Sequence, residues 1–406
     1  MNYERLSNLD TFFSVTGSLN ERIRSSTGLS DVKALTNRMH ERCATTSVDL
    51  LISNICNQRC PECFFREQGG DGVNSIGQED MDKIRNIIQD FQHLSPNKVT
   101  VYPRELTTDL RLLEIFAEQK IAKVLTNGKL LDRPWVLDAF RRAGIKEIMV
   151  TVPGNEDSYA LYTGESAETY ERLLCNIKTA VDSGFTVDAF YPVMATNIAA
   201  IDKTINRLSG IGVSSVNFNR VIPTGKAVSL PDAYFLTSEL LLEFLYRINE
   251  ARRRFNRRQI DISLYGIKLG PNFYNKTTFQ ILAEQTSVWP HHLYEYLCPM
   301  VGNQYIGVSY ETSDIYPCFQ GLSFPELQIG TYHNGEITRT KPVLSANELS
   351  EKLRGQCAKD ACEYQSLCMG GCRMTAFAFA KRRGEEKPLF AGQDICMTRL
   401  FDQITK

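Results

Sequence analysis

The stretch Cys56-Asn57-Gln58-Arg59-Cys60-Pro61-Glu62-Cys63 places three cysteines in eight residues, with the spacing C-x3-C-x2-C. It follows directly on an apolar run, Val48–Ile55, which predicts a β-strand. Iron–sulfur clusters are normally held by four cysteine thiolates. Three thiolates on a loop that leaves a strand can therefore hold one [4Fe–4S] cluster and leave one iron without a protein ligand. The stretch predicts a strand that ends in such a cluster loop.

Zinc and chance clustering are the alternatives for these cysteines. Cysteines at C-x2-C spacing are frequent zinc ligands, but a zinc site usually needs a second pair nearby. The next cysteine after Cys63 is Cys175, more than a hundred residues further on. Ten of the twelve cysteines fall in two clusters, which favours metal chemistry. The other two, Cys43 and Cys175, are interpreted as small packing residues.

Composition is that of an ordinary globular protein. The chain has 406 residues, 43% of them hydrophobic and 23% charged, and a formal net charge of −1. This length allows two or three domains, and this charge gives no reason to expect nucleic-acid or membrane binding. Residues 1–5 lack the pattern of a signal peptide, and no apolar run is long enough for a membrane span. We expect a cytoplasmic protein, where many cysteines indicate metal binding rather than disulfides.

Short apolar strands alternate with amphipathic helices from about residue 46 onward. Such repetition implies parallel strands with right-handed crossovers, and six units predict an open (β/α)6 partial barrel, TIM-like, of α/β class. In barrels of this kind the chemistry lies at the carboxyl ends of the strands, where the Cys56–Cys63 loop is expected. The predicted strands are Ser47–Asn54, Lys98–Tyr102, Ala122–Leu125, Glu147–Val152, Thr186–Met194 and Ser214–Asn219.

A second cysteine cluster lies near the carboxyl end of the chain. One tetrahedral zinc site would use four of its seven thiolates and leave three unused. Two sites explain seven cysteines better, with one site short of a cysteine or using another ligand. The seven are Cys298, Cys318, Cys357, Cys362, Cys368, Cys372 and Cys396.

These motifs resemble the radical S-adenosylmethionine (radical SAM) superfamily, and the second cluster resembles its SPASM domain. The segments Cys362-Glu363-Tyr364, Cys368–Arg373 and Ile315–Cys318 are especially similar to that domain, and Arg220–Ala227 is similar to the segment after the sixth strand in SPASM proteins. Together with the residue pattern, the resemblance predicts four parts: a polar, partly helical lead-in (1–45), a radical SAM partial barrel (46–228), a helical connector (229–296) and a small cysteine-rich SPASM domain (297–406).

The resemblance also implies three [4Fe–4S] clusters, one that binds SAM and two auxiliary ones. Cys56, Cys60 and Cys63 would hold the first, with SAM in the vacant position. Two departures from the family pattern concern the auxiliary ligands: four residues separate Cys357 from Cys362, and Ser313 stands where a glycine is usual. By the family's interleaved pattern, the inner auxiliary cluster would take Cys298, Cys318 and Cys372, and the outer one Cys357, Cys362, Cys368 and Cys396.

Four residues are expected to contact SAM because of where they fall in the family's motifs. Glu105, in Tyr102-Pro103-Arg104-Glu105, replaces the family's Gly-Gly-Glu and can still accept from an ammonium; a surface ion pair is its alternative. Thr151 ends the fourth strand, and Arg220 ends the sixth. Phe64 follows Cys63 and covers the cluster or adenine, or belongs to the core. Thr126-Asn127-Gly128 predicts a turn after the third strand.

The implied function is that of a radical SAM oxidoreductase or maturase, in which the cofactor carries the difficult chemistry. It would form a 5′-deoxyadenosyl radical and crosslink or oxidise a ribosomally made peptide, supplied with electrons by a partner such as flavodoxin or ferredoxin. The lead-in is shorter than the peptide-binding domain of many members, so a small molecule in a cofactor or natural-product pathway is the alternative. A non-catalytic iron–sulfur or zinc protein is the second alternative, but it predicts a fourth cysteine near Cys56–Cys63, and none is present.

Overall fold

The structure is a computed structural model, and it describes most of the chain between residues 18 and 396. Cys298 and Cys357, predicted as auxiliary ligands, lie outside the described residues, as does Cys43. The described residues are 18–41, 47–53, 55–64, 76–94, 99–255, 259–265, 279–280, 283, 305–342, 346–353, 362, 364–392 and 394–396.

Eleven strands within these ranges form two hydrogen-bonded sheets, with orders β11-β10-β9-β8-β1-β2 and β3-β4-β5-β6-β7. Neighbours from β8 through β1 to β2, and from β3 to β7, are parallel, whereas β8 to β11 are antiparallel. The strands are β1 (Ser47–Ser53), β2 (Val99–Pro103), β3 (Lys123–Thr126), β4 (Glu147–Thr151), β5 (Thr186–Val193), β6 (Ser215–Arg220), β7 (Asp261–Tyr265), β8 (Tyr305–Ser309), β9 (Asp314–Tyr316), β10 (Gly330–His333) and β11 (Glu336–Arg339).

Helices connect the parallel strands. Several begin and end where sequence rules place them: Asn155 and Thr237 cap their helices by accepting a backbone N–H, and Gly164 ends one in the left-handed region. The helices are α1 (Leu19–Thr27), α2 (Val32–Glu41), α3 (Gln78–Leu94), α4 (Leu112–Glu118), α5 (Pro134–Arg142), α6 (Glu156–Thr163), α7 (Ala167–Asp182), α8 (Ile201–Gly210), α9 (Ser238–Arg254), α10 (Ala346–Lys352), α11 (Gln365–Cys368), α12 (Arg373–Arg382) and α13 (Pro388–Ala391).

The strand order explains why the sheet curls into a partial barrel. A doubly wound sheet reverses its strand order at a switch point, but β3 to β7 are neighbours in chain order. Right-handed crossovers then leave the helices on one face of the sheet, which curves with its other face inside. The ladder is interrupted between β2 and β3. The six predicted strands are found, each within one residue of its predicted ends.

One expectation for the segment 229–296 was wrong. We interpreted it as a helical connector, and α9 fits that view, but Asp261–Tyr265 forms β7, which pairs in parallel with β6. Ile262 and Leu264 are buried and alternate with Asp261 and Ser263. This alternation is that of a strand, but we assigned the residues to the same segment as the long amphipathic helix that precedes them.

The barrel strands have two different faces. In β4, Ile148 and Val150 are fully buried, whereas Glu147, Met149 and Thr151 are half-buried. Because side chains alternate along a strand, the first set packs toward the helices and the second lines the inner face. Near the strand starts this inner face is polar: Lys123 donates to Asp188 at 2.6 Å, and Ser215 and Ser263 extend the network through β6 and β7.

The amino-terminal helices pack against the carboxyl-terminal part of the chain. Helix α2 contacts α10 and α11. Leu19, Ile23 and Leu35 share a small buried cluster with Phe279 and Leu367. The lead-in therefore contains two helices, in agreement with its expected partial helicity. Across the described ranges, no helix combines the length and apolarity that crossing a bilayer would demand.

Candidate active site

The three cysteines of the first motif lie on the loop that leaves β1, at the carboxyl edge of the barrel. All three are half-buried, and the Cys63 N–H donates to the Cys60 carbonyl at 3.2 Å. Burial raises the pKa of the Cys60 thiol, and the nearby Cys63 and Cys56 raise it further. The sequence prediction of three thiols held together at the end of the first strand therefore agrees with the structure.

The surroundings of these thiols fit a [4Fe–4S] cluster. The Gln58 N–H donates to Cys56 Sγ at 3.4 Å, and the Arg104 guanidinium donates to Cys63 Sγ at 3.4 Å. Such donors stabilise thiolates, the form that binds metal. In the ranges the structure describes, no three His, Cys, Asp or Glu side chains form a group that could hold a single metal ion. In a [4Fe–4S] cluster each thiolate binds a different iron, so its ligands need not meet at one point.

Glu105 is a buried support between two strands. Its Oε1 accepts from Thr107 N at 3.1 Å, from Thr107 Oγ1 at 2.6 Å and from Thr126 Oγ1 at 2.7 Å, and its Oε2 accepts from Asn127 N at 2.6 Å. Burial raises its pKa, and these bonds oppose that shift. Thr126 ends β3 and Asn127 follows it, so the carboxylate joins the ends of β2 and β3, where the ladder is interrupted. A surface ion pair does not describe Glu105.

Asn127 continues this connection to the cysteine loop. Its Nδ2 donates to Asn57 Oδ1 at 2.6 Å, and its Oδ1 accepts from Lys129 N at 3.1 Å. Asn57 stands directly after Cys56, so the predicted Thr126-Asn127-Gly128 turn holds the cysteine loop through this hydrogen bond. Contact between Glu105 and SAM stays a prediction. Oε1 already accepts three of the described hydrogen bonds and Oε2 accepts one, so Oε2 is the oxygen that could accept a further bond from a ligand.

The end of the cysteine loop is held by the segment after β6. Lys226 N donates to the Cys63 carbonyl at 2.9 Å. Gly225 has φ +55°, and a Cβ there would lie 2.6 Å from Cys63 O and would also overlap the Phe64 carbonyl. This position requires glycine both for its conformation and for the close approach.

Phe64 lies between the two cysteine-rich regions. Its ring centroid is 5.7 Å from that of Phe319, which also stacks on Tyr102 at 4.6 Å. The Ser323 hydroxyl donates to the Phe64 carbonyl at 2.5 Å. Because Phe319 directly follows Cys318, these contacts place the Cys318 segment against the first cysteine loop. A role for Phe64 over the cluster or adenine remains a prediction.

Arg220 is directed at the carboxyl-terminal segment. Its guanidinium pairs with Asp394 at 2.5 Å, and both side chains are almost fully buried. Asp394 Oδ2 accepts from Cys372 N at 3.1 Å. Besides its predicted contact with SAM, Arg220 therefore has a structural partner, Asp394. The sequence did not reveal this partner, because residues 220 and 394 are remote in the chain. Thr151 lies half-buried on the inner face, where a SAM contact stays a prediction.

The other described cysteines of the second cluster flank short turns. The carbonyl of Cys362 accepts from Gln365 N at 3.0 Å, and Cys368 N donates to Tyr364 O at 2.8 Å. Cys372 is buried, whereas Cys318, Cys362, Cys368 and Cys396 are half-buried. Two auxiliary clusters remain a prediction. Their ligand sets would include Cys298 and Cys357, which lie outside the described residues.

Two residues near the first motif were given no role by the sequence alone. Glu62 is 3% exposed, and neither carboxylate oxygen has a hydrogen-bond partner in the described part of the chain; burial raises its pKa to about 8. Tyr162, from the end of α6, lies near Cys60: burial and then the neighbouring Cys60 and Cys63 raise its pKa. Glu62 departs from the family's usual aromatic residue, which was a usable signal. Nothing in the sequence indicated Tyr162, about a hundred residues away.

Comparison with known proteins identifies the family of one domain and a shared fold. Residues 50–208 match the family model of the radical SAM superfamily. The fold resembles Streptococcus suis SuiB bound to its precursor peptide SuiA, with a TM-score of 0.61 and 13% identity, covering 89% of this chain and 78% of that one. It also resembles native anSMEcpe with bound AdoMet, with a TM-score of 0.58 and 15% identity, covering 88% of this chain and 99% of that one.

At these identities the two structures show a shared fold alone. The match to the family model covers the domain that carries the cysteine loop. The radical SAM family implies a [4Fe–4S] cluster and SAM for this domain. The matched residues include the three thiols of the loop after β1 and strands β2 to β5. The chain therefore contains, within residues 50–208, a domain that matches the radical SAM superfamily.

Proposed function

We propose that the protein is a radical SAM enzyme with a SPASM domain, and that it modifies a ribosomally made peptide by crosslinking or oxidation. The observation that carries this proposal is the half-buried Cys56, Cys60 and Cys63 on the loop after β1, inside a radical SAM domain. Three thiols leave one iron for SAM. When bound, the reduced cluster and SAM would supply a 5′-deoxyadenosyl radical.

The chain's own side chains would prepare and shape this site. The Arg104 guanidinium and the Gln58 N–H stabilise the thiolates, and Glu105 and Asn127 hold the loop at the barrel edge. Substrate would enter above the inner face of the barrel. There it would meet half-buried side chains near the strand ends: Met149, Thr151, Phe190 and Asn219.

A peptide substrate is supported by the proteins that share the fold. SuiB is seen bound to the precursor peptide SuiA, and anSMEcpe is seen with AdoMet and the Kp18Cys peptide. The likeness to SuiB extends over 89% of the present chain, well beyond the radical SAM domain. The carboxyl-terminal cysteines support a SPASM domain with two auxiliary clusters. We place the enzyme in the cytoplasm, with flavodoxin or ferredoxin as the electron donor.

Iron content tests the cluster assignment. Wild type, the Cys56/Cys60/Cys63→Ala triple variant and Cys175→Ala would be reconstituted anaerobically, and iron and sulfide measured. We expect about twelve irons in wild type and about eight in the triple variant, since each cluster holds four. Cys175 is exposed, so it is not the packing residue that the sequence suggested, and it lies outside both clusters; its variant should match wild type. About four irons in wild type would contradict the auxiliary clusters, and zinc instead of iron would contradict the radical chemistry.

Hydrogen abstraction tests the reaction and the substrate class. Wild-type protein, SAM and a reductant would be incubated with deuterated peptides or with deuterated amino acids and sugars. Because the radical takes a hydrogen atom from the substrate, deuterium should appear in 5′-deoxyadenosine with peptides. Deuterium transfer only from small molecules would replace the peptide by the small-molecule alternative. Failure of the wild type to cleave SAM would overturn the enzymatic proposal.

A further inference from the structure

The Arg220–Asp394 ion pair is buried between the barrel and the carboxyl-terminal segment. The two side chains are 4% and 6% exposed, and Arg220 Nη2 lies 2.5 Å from Asp394 Oδ1. Arg220 Nε is buried and finds no acceptor in the described ranges. Removing one partner of such a pair is strongly destabilising because it leaves an uncompensated buried charge, although the pair adds little net stability over apolar residues. Its value therefore lies in the geometry that it imposes.

Asp394 fixes the turn that carries Cys372. Its Oδ2 accepts from Cys372 N at 3.1 Å, and its own N–H donates to the Gly370 carbonyl at 3.0 Å. Gly371 has φ +85°, and a Cβ there would lie 2.6 Å from the Asp394 Cβ. The Gly370–Cys372 turn is thus closed on Asp394, which itself stands two residues before Cys396.

The segment 220–226 reaches the first cysteine loop at its other end. Arg220 ends β6 and pairs with Val193 of β5, so its backbone belongs to the barrel sheet. Five and six residues later, Gly225 packs against the Cys63 carbonyl and Lys226 N donates to it at 2.9 Å. One short segment therefore contacts the Cys372 turn through Asp394 and the Cys63 loop directly.

We propose that the segment 220–226 links the two cysteine sites, with Asp394 as the positioning residue that holds Cys372 against the barrel edge. The proposal rests on the proposed function only in taking both sites to hold clusters. In that setting the link would fix the distance between the SAM-binding cluster and the auxiliary cluster that uses Cys372. The geometric part of the proposal holds for the iron-free protein as well.

Alkylation of the iron-free protein tests the geometric part. Wild type, Asp394→Asn, Arg220→Gln and Asp232→Asn would be treated with iodoacetamide, and each cysteine's modification followed by mass spectrometry. Loss of the pair should open the turn locally, so Cys372 should react about tenfold faster, while Cys56, Cys60 and Cys63 keep their rates. Asp232 forms an exposed pair with Arg382, so Asp232→Asn is the control and should match wild type.

A double variant separates positioning from stability. Arg220→Met with Asp394→Ala leaves no unpaired buried charge, so it should fold better than either single change. It also removes the acceptor of the Cys372 N–H, so Cys372 should still react about tenfold faster than in wild type. Wild-type alkylation of Cys372 in the double variant, or equal acceleration of all cysteines in the single variants, would overturn the proposal.

Reconstitution then tests the link in the loaded protein, in the background of the Cys56/Cys60/Cys63→Ala triple variant. Adding Asp394→Asn should alter the EPR signal or lower the iron of one auxiliary cluster, and adding Asp232→Asn should do neither. An unchanged signal with Asp394→Asn would contradict the effect on the cluster. Absence of iron in the triple variant itself would instead contradict the auxiliary clusters of the proposed function, and the alkylation rates would still decide the geometric link.

Discussion

At the scale of single residues, two buried carboxylates near the first motif differ in how they are satisfied. Glu105 receives four hydrogen bonds, and Glu62 receives none from the described residues. A buried carboxylate is tolerated when donors surround it and destabilises the fold when they do not. Opposite stability changes should therefore follow from replacing them.

Replacing Glu105 should destabilise the fold. In Glu105→Gln one carboxylate oxygen becomes an NH2 group, which must face a hydrogen-bond donor. In one orientation this donor is Asn127 N, and in the other it is the donors of Thr107 and Thr126. We expect the free energy of unfolding of the iron-free protein to fall by about 1–3 kcal/mol in urea titrations. Glu114→Gln, at an exposed pair with Arg85, is the control, with a change within about 0.5 kcal/mol. Equal stability of Glu105→Gln and wild type would show that these bonds do not hold the loop.

Replacing Glu62 should stabilise the iron-free protein. Glu62→Leu removes a carboxylate that is 3% exposed and has no hydrogen-bond partner in the described ranges. The unfolding free energy should rise by about 1–3 kcal/mol, the desolvation cost of an unsatisfied buried group. Glu386→Leu, on the surface, should not stabilise. A lower melting temperature of Glu62→Leu would mean that the carboxylate has a partner in solution.

At the scale of elements, the segment after β6 and the loop after β1 meet in a contact that only glycine permits. Gly225 combines a positive φ with close approach to Cys63 O. Gly184 has φ +88° but nothing within 4 Å of a Cβ. The two glycines therefore separate the effect of backbone conformation from that of crowding.

Gly225→Ala should disturb the cluster loop, whereas Gly184→Ala should not. The new methyl group would push Cys63 and Phe64 away from the barrel edge. We expect reconstituted Gly225→Ala to lose about four irons, those of the first cluster, and to lose SAM cleavage. Gly184→Ala should keep its iron, since it shares only the conformational strain. Full iron content in Gly225→Ala would show that the loop tolerates displacement.

At the scale of the whole molecule, the carboxyl-terminal part completes the barrel sheet. Strand β8 pairs in parallel with β1, from Ser47 opposite Tyr305 to Leu51 opposite Ser309. Ile306 and Val308 are buried in the same core cluster as Val48 and Leu50. The strand that precedes the cysteine loop is thus paired on both sides, by β2 and β8.

A chain that ends at residue 296 should fold poorly. Without β8, strand β1 becomes an edge with unpaired backbone groups and exposed apolar side chains, a known cause of aggregation. We expect this fragment to aggregate in gel filtration, whereas the full chain should elute as a defined species. A monomeric fragment that unfolds cooperatively would show that residues 1–296 form an independent unit.

Local patterns were enough to predict the strands. Alternating and apolar runs indicated six strands, each found within one residue of its expected ends, because burial on one or two faces leaves a regular signature. Strand β7 was missed although its apolar residues alternate, because we assigned its segment to the helical connector, and the pairing of β1 with β8 has no local signature at all. Pairing joins residues about 260 positions apart, and no short-range pattern specifies such a partner.

The sequence by itself determined the cysteine loop and the strands of the barrel, because ligand spacing and strand periodicity are local properties of the chain. Only the tertiary structure decided how that loop is held, by Glu105 through Asn127 and by Gly225. The tertiary structure also placed Arg220 against Asp394 at the Cys372 turn. The physical reason is that a buried polar group needs a partner close in space. Folding alone chooses that partner, here from strands and loops far apart in sequence.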